Sequence, residues 1–256
     1  MATLNSSLVQ SKLLIQNQLE DGFNRPLIFL TKGCSIIMTF NDKTIKEIIL
    51  ASKIYKTNFV DYEYLICSDA FSLKDFYTIK AAPANFKHLT GLSSSMNPID
   101  FFYKCLSGTI KVDEVDFTNK STIKQKIKVL SNMMNILNTE FYVQEKFEKN
   151  TVICSIATTD GNGTLGFIDK SGLHPKTLLK GNKLDPQKSQ GVNLLLKKYK
   201  GDEYYEKIII GDIATLIEKY YKIKSHLSPK LCTYIEQQIE FLNNENSSQN
   251  KILIKI

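Results

Sequence analysis

Apolar positions recur along most of the chain at helix or strand spacing. The clearest pattern covers residues 122–138, where Ile123, Ile127, Leu130, Met134 and Leu137 fall at steps of four, three, four and three. One stripe at that spacing predicts an amphipathic helix with a buried face. A weaker helical pattern covers residues 6–20 and ends near Gly22. Two short β-rich runs, 27–30 and 35–40, flank Lys32-Gly33 and predict a hairpin. Asp42 is a candidate cap for a helix to about residue 56, with Ile45, Ile48, Ile49 and Ile54 on one side. Residues 62–67 and 76–80 are the next strand candidates. Pro83 and Asn85 open a short helical turn closed by Gly91, and Pro98 opens a helix that Gly108 ends.

The second half reads as β-rich, with strands predicted over 141–147, 152–158, 165–168, 192–198 and 204–210. Asp160-Gly161-Asn162-Gly163 is a hairpin turn between two of them. Helices are predicted over 212–224 and 228–243, the second with Pro229 near its start. The tail 244–250 is polar and expected to be mobile, and the closing Ile-Leu-Ile-Lys-Ile alternates like an edge strand. There is no internal repeat and no long linker; a soft boundary falls near 58–60.

Composition narrows the class. With 256 residues, 43% hydrophobic, the chain can form one large domain or two modest ones, and disorder is excluded as its main state. No apolar run approaches the roughly 18 residues of a membrane-spanning helix. The first residues lack a basic stretch followed by an apolar core, so no signal peptide is expected. The five cysteines, Cys34, Cys67, Cys105, Cys154 and Cys232, are scattered and odd in number. That argues against a disulfide framework or a zinc site, and for a reducing, cytoplasmic setting. The net charge of +7 suits a phosphate-rich partner, yet equally a lysine-rich soluble surface. Arg25 is the only arginine, which weakens bidentate base reading. Lys120, Lys124 and Lys128 form a row on the 122–138 helix that is either a solvated face or a nucleic-acid face.

Nucleotide-binding loops, the nucleophile elbow and the kinase set are missing. Three segments carry isolated chemistry: Lys87-His88-Leu89-Thr90-Gly91, Leu173-His174-Pro175-Lys176-Thr177-Leu178-Leu179-Lys180, and Gly201-Asp202-Glu203-Tyr204-Tyr205 behind Lys197, Lys198 and Lys200. Singly, each has a structural explanation: a satisfied histidine, turn chemistry, or strand packing.

Together they resemble a family. Asn85-Phe86-Lys87-His88-Leu89-Thr90-Gly91-Leu92, followed by Phe101-Phe102-Tyr103-Lys104-Cys105-Leu106-x-Gly108, is similar to phage-associated members of the barnase–EndoU–colicin–RelE superfamily. A Gly-x-Leu-Gly-Phe-Ile run, Pro-x-Thr-Leu-Leu-Lys, a Lys-Lys strand and a tyrosine strand continue the likeness over roughly residues 60–210. The resemblance implies an α+β fold, an antiparallel β-sheet packed with helices. It places the nuclease domain over 59–210, after an N-terminal helix and hairpin extension (1–58) and before C-terminal helices and a tail (211–256). It implies a metal-independent ribonuclease, a toxin or phage–host conflict factor, needing no cofactor. The 2′-hydroxyl of RNA would attack its own phosphate to give a cyclic phosphate. In that reading the catalytic residues are His88, Thr90, Lys176 and Thr177. Lys87, Lys180, Lys198 and Tyr205 bind phosphate or RNA, and His174 is a second proton-transfer candidate ranked behind His88. The substrate would be tRNA, mRNA or ribosome-associated RNA. The absence of arginine from the matched stretch keeps two alternatives open: a non-catalytic RNA- or phosphate-binding module of the same fold, and a protein–protein inhibitor.

Overall fold

The computed structural model describes residues 28–31 and 34–253. The chain divides into two compact units, Met1–Lys43 and Thr44–Ile256. In the first, β1 (Ile28–Thr31) and β2 (Cys34–Ile37) pair antiparallel, from Ile28↔Ile37 to Thr31↔Cys34. This is the expected hairpin; the helix expected over 6–20 lies outside the described residues. Helix α1 (Phe40–Tyr55) starts ahead of Asp42, because Thr39 is the cap. The Thr39 hydroxyl accepts from the Asp42 N–H at 3.2 Å, and the Asp42 carboxylate accepts from the Thr39 N–H at 3.1 Å. That reciprocal pair satisfies donors a helix start leaves open.

The second unit continues with β3 (Tyr62–Cys67), β4 (Tyr77–Lys80), α2 (Phe86–Thr90), α3 (Pro98–Ser107) and α4 (Lys120–Met133). Then come β5 (Tyr142–Lys149), β6 (Val152–Thr159), β7 (Gly163–Asp169), β8 (Leu173–Lys180), β9 (Ser189–Gly191), β10 (Leu194–Tyr199) and β11 (Lys207–Ile210). Helices α5 (Ile213–Ile223) and α6 (Pro229–Leu253) close the order. Strands β3–β11 form one sheet in the order β11-β10-β3-β4-β8-β7-β6-β5-β9. The fold is α+β. All neighbours are antiparallel except β4 and β8, so the sheet is mixed. A parallel pair needs a long crossover, and the helical stretch after β4 begins it.

Packing follows strand alternation. Leu65 and Cys67 of β3 and Leu194 and Leu196 of β10 share one face and pack with Leu216, Tyr220 and Ile223 of α5 and Ile235 of α6. Helix α4 packs on β7 and β8, and α2 on β8 and α4. At Gly163 a Cβ would lie 2.6 Å from Met133 Cγ, so α4 and β7 meet too closely for a side chain there. Ile123, Ile127 and Leu130 of α4 are buried, as the stripe predicts; the helix ends at Met133, short of the expected 138, and Met134 and Leu137 are buried beyond it, Leu137 in the separate turn Ile136–Asn138. Burying each is worth roughly 1.5–3 kcal/mol. The Tyr55 ring lies 5.3 Å from Phe86 and 5.9 Å from Phe102, tying α1, α2 and α3 together.

Two local outcomes differ from the sequence pattern. Residues 173–180 form a full central strand although they contain Pro175. Proline cannot donate to a ladder and belongs at edges or bulges. Here the register slips between Gly166 and Phe167: Phe167 pairs with Pro175, Gly166 with Thr177, and Lys176 is the extra residue of a bulge. The stretch from residue 244 to Leu253 continues α6. It holds no proline or glycine to stop a helix. No helix among the described residues is long and apolar enough to cross a membrane.

Candidate functional site

Four polar residues stand in one row across the sheet. Lys198 of β10 is the register partner of Glu63 of β3, and Glu63 is the partner of Lys80 of β4. Ile79 of β4 pairs with Leu173 of β8, so Lys80 and His174 follow at the next step of these two parallel strands. Alternation puts the row on the face that carries Leu65 and Leu196, at the margin of the cluster with α5 and α6.

The row is held from several sides. Glu63 and Lys198 are 3.6 Å apart, and neither side chain is more than 16% exposed. The Lys198 ammonium also donates to the carbonyls of Asp202 at 2.6 Å and Glu203 at 3.3 Å, and sits 5.1 Å from the centre of the Tyr205 ring. The Tyr205 N–H donates to the His226 carbonyl at 2.9 Å, and the Tyr205 carbonyl accepts from the Ser228 N–H at 3.3 Å. These backbone bonds anchor the turn Lys224–His226 beside the row, where the His226 ring meets Phe76 edge-on at 4.9 Å. The Lys80 stem crosses Gly172, where a Cβ would come within 3.0 Å of Lys80 Cδ.

The electrostatics favour neutral imidazoles. Burial holds His174 below its ordinary pKa, Lys170 and Lys80 add to this, and Asp169 opposes them. Burial also lowers His226, with Lys198 and Lys80 adding. Lys80 thus acts on both rings. Burial raises the Tyr205 phenol, and Glu63 pushes the same way. Two imidazoles with lowered pKa values, one acting neutral to accept a proton and one protonated to donate it, together with a carboxylate and two ammonium groups, can exchange protons and stabilise an anionic intermediate.

The expected site residues fall into three groups. Lys198 and His174 belong to the row, and Tyr205 packs beside it. Lys176, Thr177 and Lys180 lie farther along β8: Lys176 is exposed and donates to the Ile153 carbonyl at 2.9 Å, Thr177 is half-buried against Gly166, and Lys180 is exposed. His88, Thr90 and Lys87 lie on α2, which packs against β8. His88 is exposed, and among the described residues its ring has no hydrogen-bond partner. Thr90 is buried; its hydroxyl donates to the Lys87 carbonyl at 2.8 Å and accepts from the Leu92 N–H at 3.1 Å. That makes it a local cap for the turn before Gly91, whose φ is 76°. The Lys87 ammonium donates to the carbonyls of Ser94 and Met96. No hydrogen bond or ion pair joins the α2 group to the row among the described residues.

Glu63, Lys80 and His226 were not singled out from the sequence. The available signal was a charged residue between tyrosines in 62–64, a lysine ending the 76–80 run, and the third histidine of a chain that has only three.

Comparison with protein families matches residues 45–214, more than half of the chain, to the model described as phage-Barnase-EndoU-ColicinE5/D-RelE like nuclease4. No curated protein and no solved structure matches the chain.

Proposed function

Because the chain belongs to the phage-Barnase-EndoU-ColicinE5/D-RelE like nuclease4 family, and so is a nuclease acting on nucleic acid, we propose that it cleaves RNA by attack of a ribose 2′-hydroxyl on the adjacent phosphate. The observation that carries this reading is the row Lys198–Glu63–Lys80–His174 with His226 beside it. His174, neutral near pH 7, takes the 2′-hydroxyl proton. The 2′-oxygen bonds to phosphorus and the bond to the 5′-oxygen breaks. The imidazolium of His226 gives its proton to that leaving oxygen. A cyclic phosphate and a free 5′-hydroxyl result. Lys80 and Lys198 stabilise the added charge on the non-bridging oxygens, and Glu63 keeps Lys198 in place. The reaction as written needs no cofactor.

A second arrangement rests on a different observation, the packing of α2 on β8 with the His88 ring exposed and, among the described residues, without a hydrogen-bond partner. There His88 moves the proton, with Lys176 and Thr177 on the phosphate. Cleavage of a labelled RNA in EDTA by His174→Gln and His88→Gln separates the two. The row predicts a loss of about 100-fold or more for His174→Gln and little for His88→Gln, general acid–base groups being worth about 10²–10⁴. The reverse result transfers the chemistry to α2. Equal cleavage of DNA removes the 2′-hydroxyl from the mechanism, and salt-dependent RNA binding without cleavage leaves a binding module.

In the same reading the protein is a toxin or phage–host conflict factor acting on RNA in the cytoplasm; the family description, which names phage and colicin, supports it. Arrest of growth on expression, relieved by His174→Gln, is the expected outcome.

A further inference from the structure

The β10–β11 ladder ends at the pair Lys197↔Lys207. The space beyond it is a cavity of about 520 Å³ lined by three tyrosines, Tyr62, Tyr199 and Tyr204, and three lysines, Lys197, Lys198 and Lys207. Lys198, the outer member of the charged row, also lines the cavity, while Tyr62 and Tyr199, one register position along, face away from the row. Tyr62 and Tyr199 are cross-strand partners with ring centres 4.4 Å apart. The Lys197 ammonium lies 3.4 Å from the centre of the Tyr62 ring. Tyr199 is 59% exposed, and its partner Tyr62 is half-buried.

An exposed aromatic ring held by a second ring beside a lysine cluster has the two elements of single-stranded nucleic-acid binding: a stacking surface and a cation for the backbone. The carboxylates Asp202, Glu203 and Glu206 also line the cavity. They disfavour a phosphate inside it and suit a base, whose exocyclic amino group a carboxylate can accept from. We propose that this cavity is a nucleobase subsite: one base of a single-stranded RNA stacks on Tyr199, the flanking phosphate meets Lys207, and Lys198 links this position to the row. The choice of RNA rests on the function proposed above; the stacking geometry does not. Loop 200–206 also takes part, since its carbonyls at Asp202 and Glu203 hold the Lys198 ammonium, so an occupied cavity bears directly on the row.

The test uses the full chain and a 5′-labelled, fully 2′-O-methylated RNA pentanucleotide, which cannot react through a 2′-hydroxyl, with binding read by anisotropy. Tyr199→Ala is expected to weaken binding about 5- to 150-fold, the range for loss of one base–aromatic stack. Tyr199→Phe keeps the ring and is expected to bind as the unchanged protein does. A set of pentanucleotides with one abasic position supplies the second measurement: one abasic site weakens binding to the unchanged protein and has little further effect on Tyr199→Ala. Lys207→Gln is expected to reduce the salt dependence of binding. If Tyr199→Ala binds like the parent, or if every abasic site costs both proteins equally, the subsite is overturned. If the Tyr199 effect is present while no RNA is cleaved, the subsite stands and the ribonuclease reading falls.

Discussion

Glu63 and Lys198 face each other across the β3–β10 ladder and form an ion pair at 3.6 Å, at a point where the sheet is almost closed to solvent. Such a pair gains from a lower local dielectric, but removing one member strands the other. Glu63 also touches the register of Lys80, so it sits between the two ammonium groups assigned to the phosphate.

Replacing Glu63 by Gln is therefore expected to lower kcat by about 10- to 100-fold with little change in KM, since it positions lysines that act on developing charge. The cost in stability is about 1–2 kcal/mol, below that of a fully buried pair. Adding Lys198→Met to Glu63→Gln should lose far less than the sum of the two single changes; steady-state kinetics and thermal melts on all four proteins read this. Simple additivity would separate the residues.

Activity should depend on pH as a bell with its maximum on the acidic side of 6.5. His174 must be neutral to accept a proton, so the rate rises as pH climbs through its lowered pKa. His226 must be protonated to donate, so the rate falls as pH climbs through its own lowered pKa. A pH profile of kcat/KM checks this, and His226→Gln should remove the alkaline limb.

Glu145 is buried, and its carboxylate accepts from the Ser72 N–H and hydroxyl, the Leu73 N–H and the Tyr77 hydroxyl. Burial by itself would raise its pKa, but these hydrogen bonds outweigh it and hold the carboxyl below the usual range. A depressed carboxylate adds stability above its unfolded pKa, and the contribution disappears as pH falls through the folded pKa. Glu145→Ala should cost about 2–4 kcal/mol at pH 7, free the loop over 68–76 for proteolysis, and flatten the loss of stability below pH 4.5. Denaturant melts at pH 7 and pH 3 measure both effects.

At Gly166 an added Cβ would lie 2.5 Å from Cys154 Sγ and 2.9 Å from Thr177 Cγ2. Gly166→Ala should destabilise by about 1–3 kcal/mol, as overpacking does, and Cys154→Ala in the same protein should restore part of it. A melt showing no recovery would mean that Thr177, not Cys154, sets the limit.

The helical stripe of α4, the capped α3, β3, and the β6–β7 hairpin were legible in the sequence because each depends on periodicity or turn chemistry within a dozen or so residues. The local run of lysines and tyrosines in 197–205 was legible, but a phosphate role for Lys198 and Tyr205 came only from the family resemblance. β8 was not read as a strand, because Pro175 speaks against a central one and only the slip at Gly166 accommodates it. The row itself depends on register. Glu63, Lys80, His174 and Lys198 come from four strands, the first two consecutive and the others far along the chain, and a shift of one residue in any ladder would send its member to the other face. By itself the sequence determined the elements and the supply of lysines, histidines and tyrosines. Tertiary structure decided which of them share a face, because strand pairing is set by packing across the whole sheet.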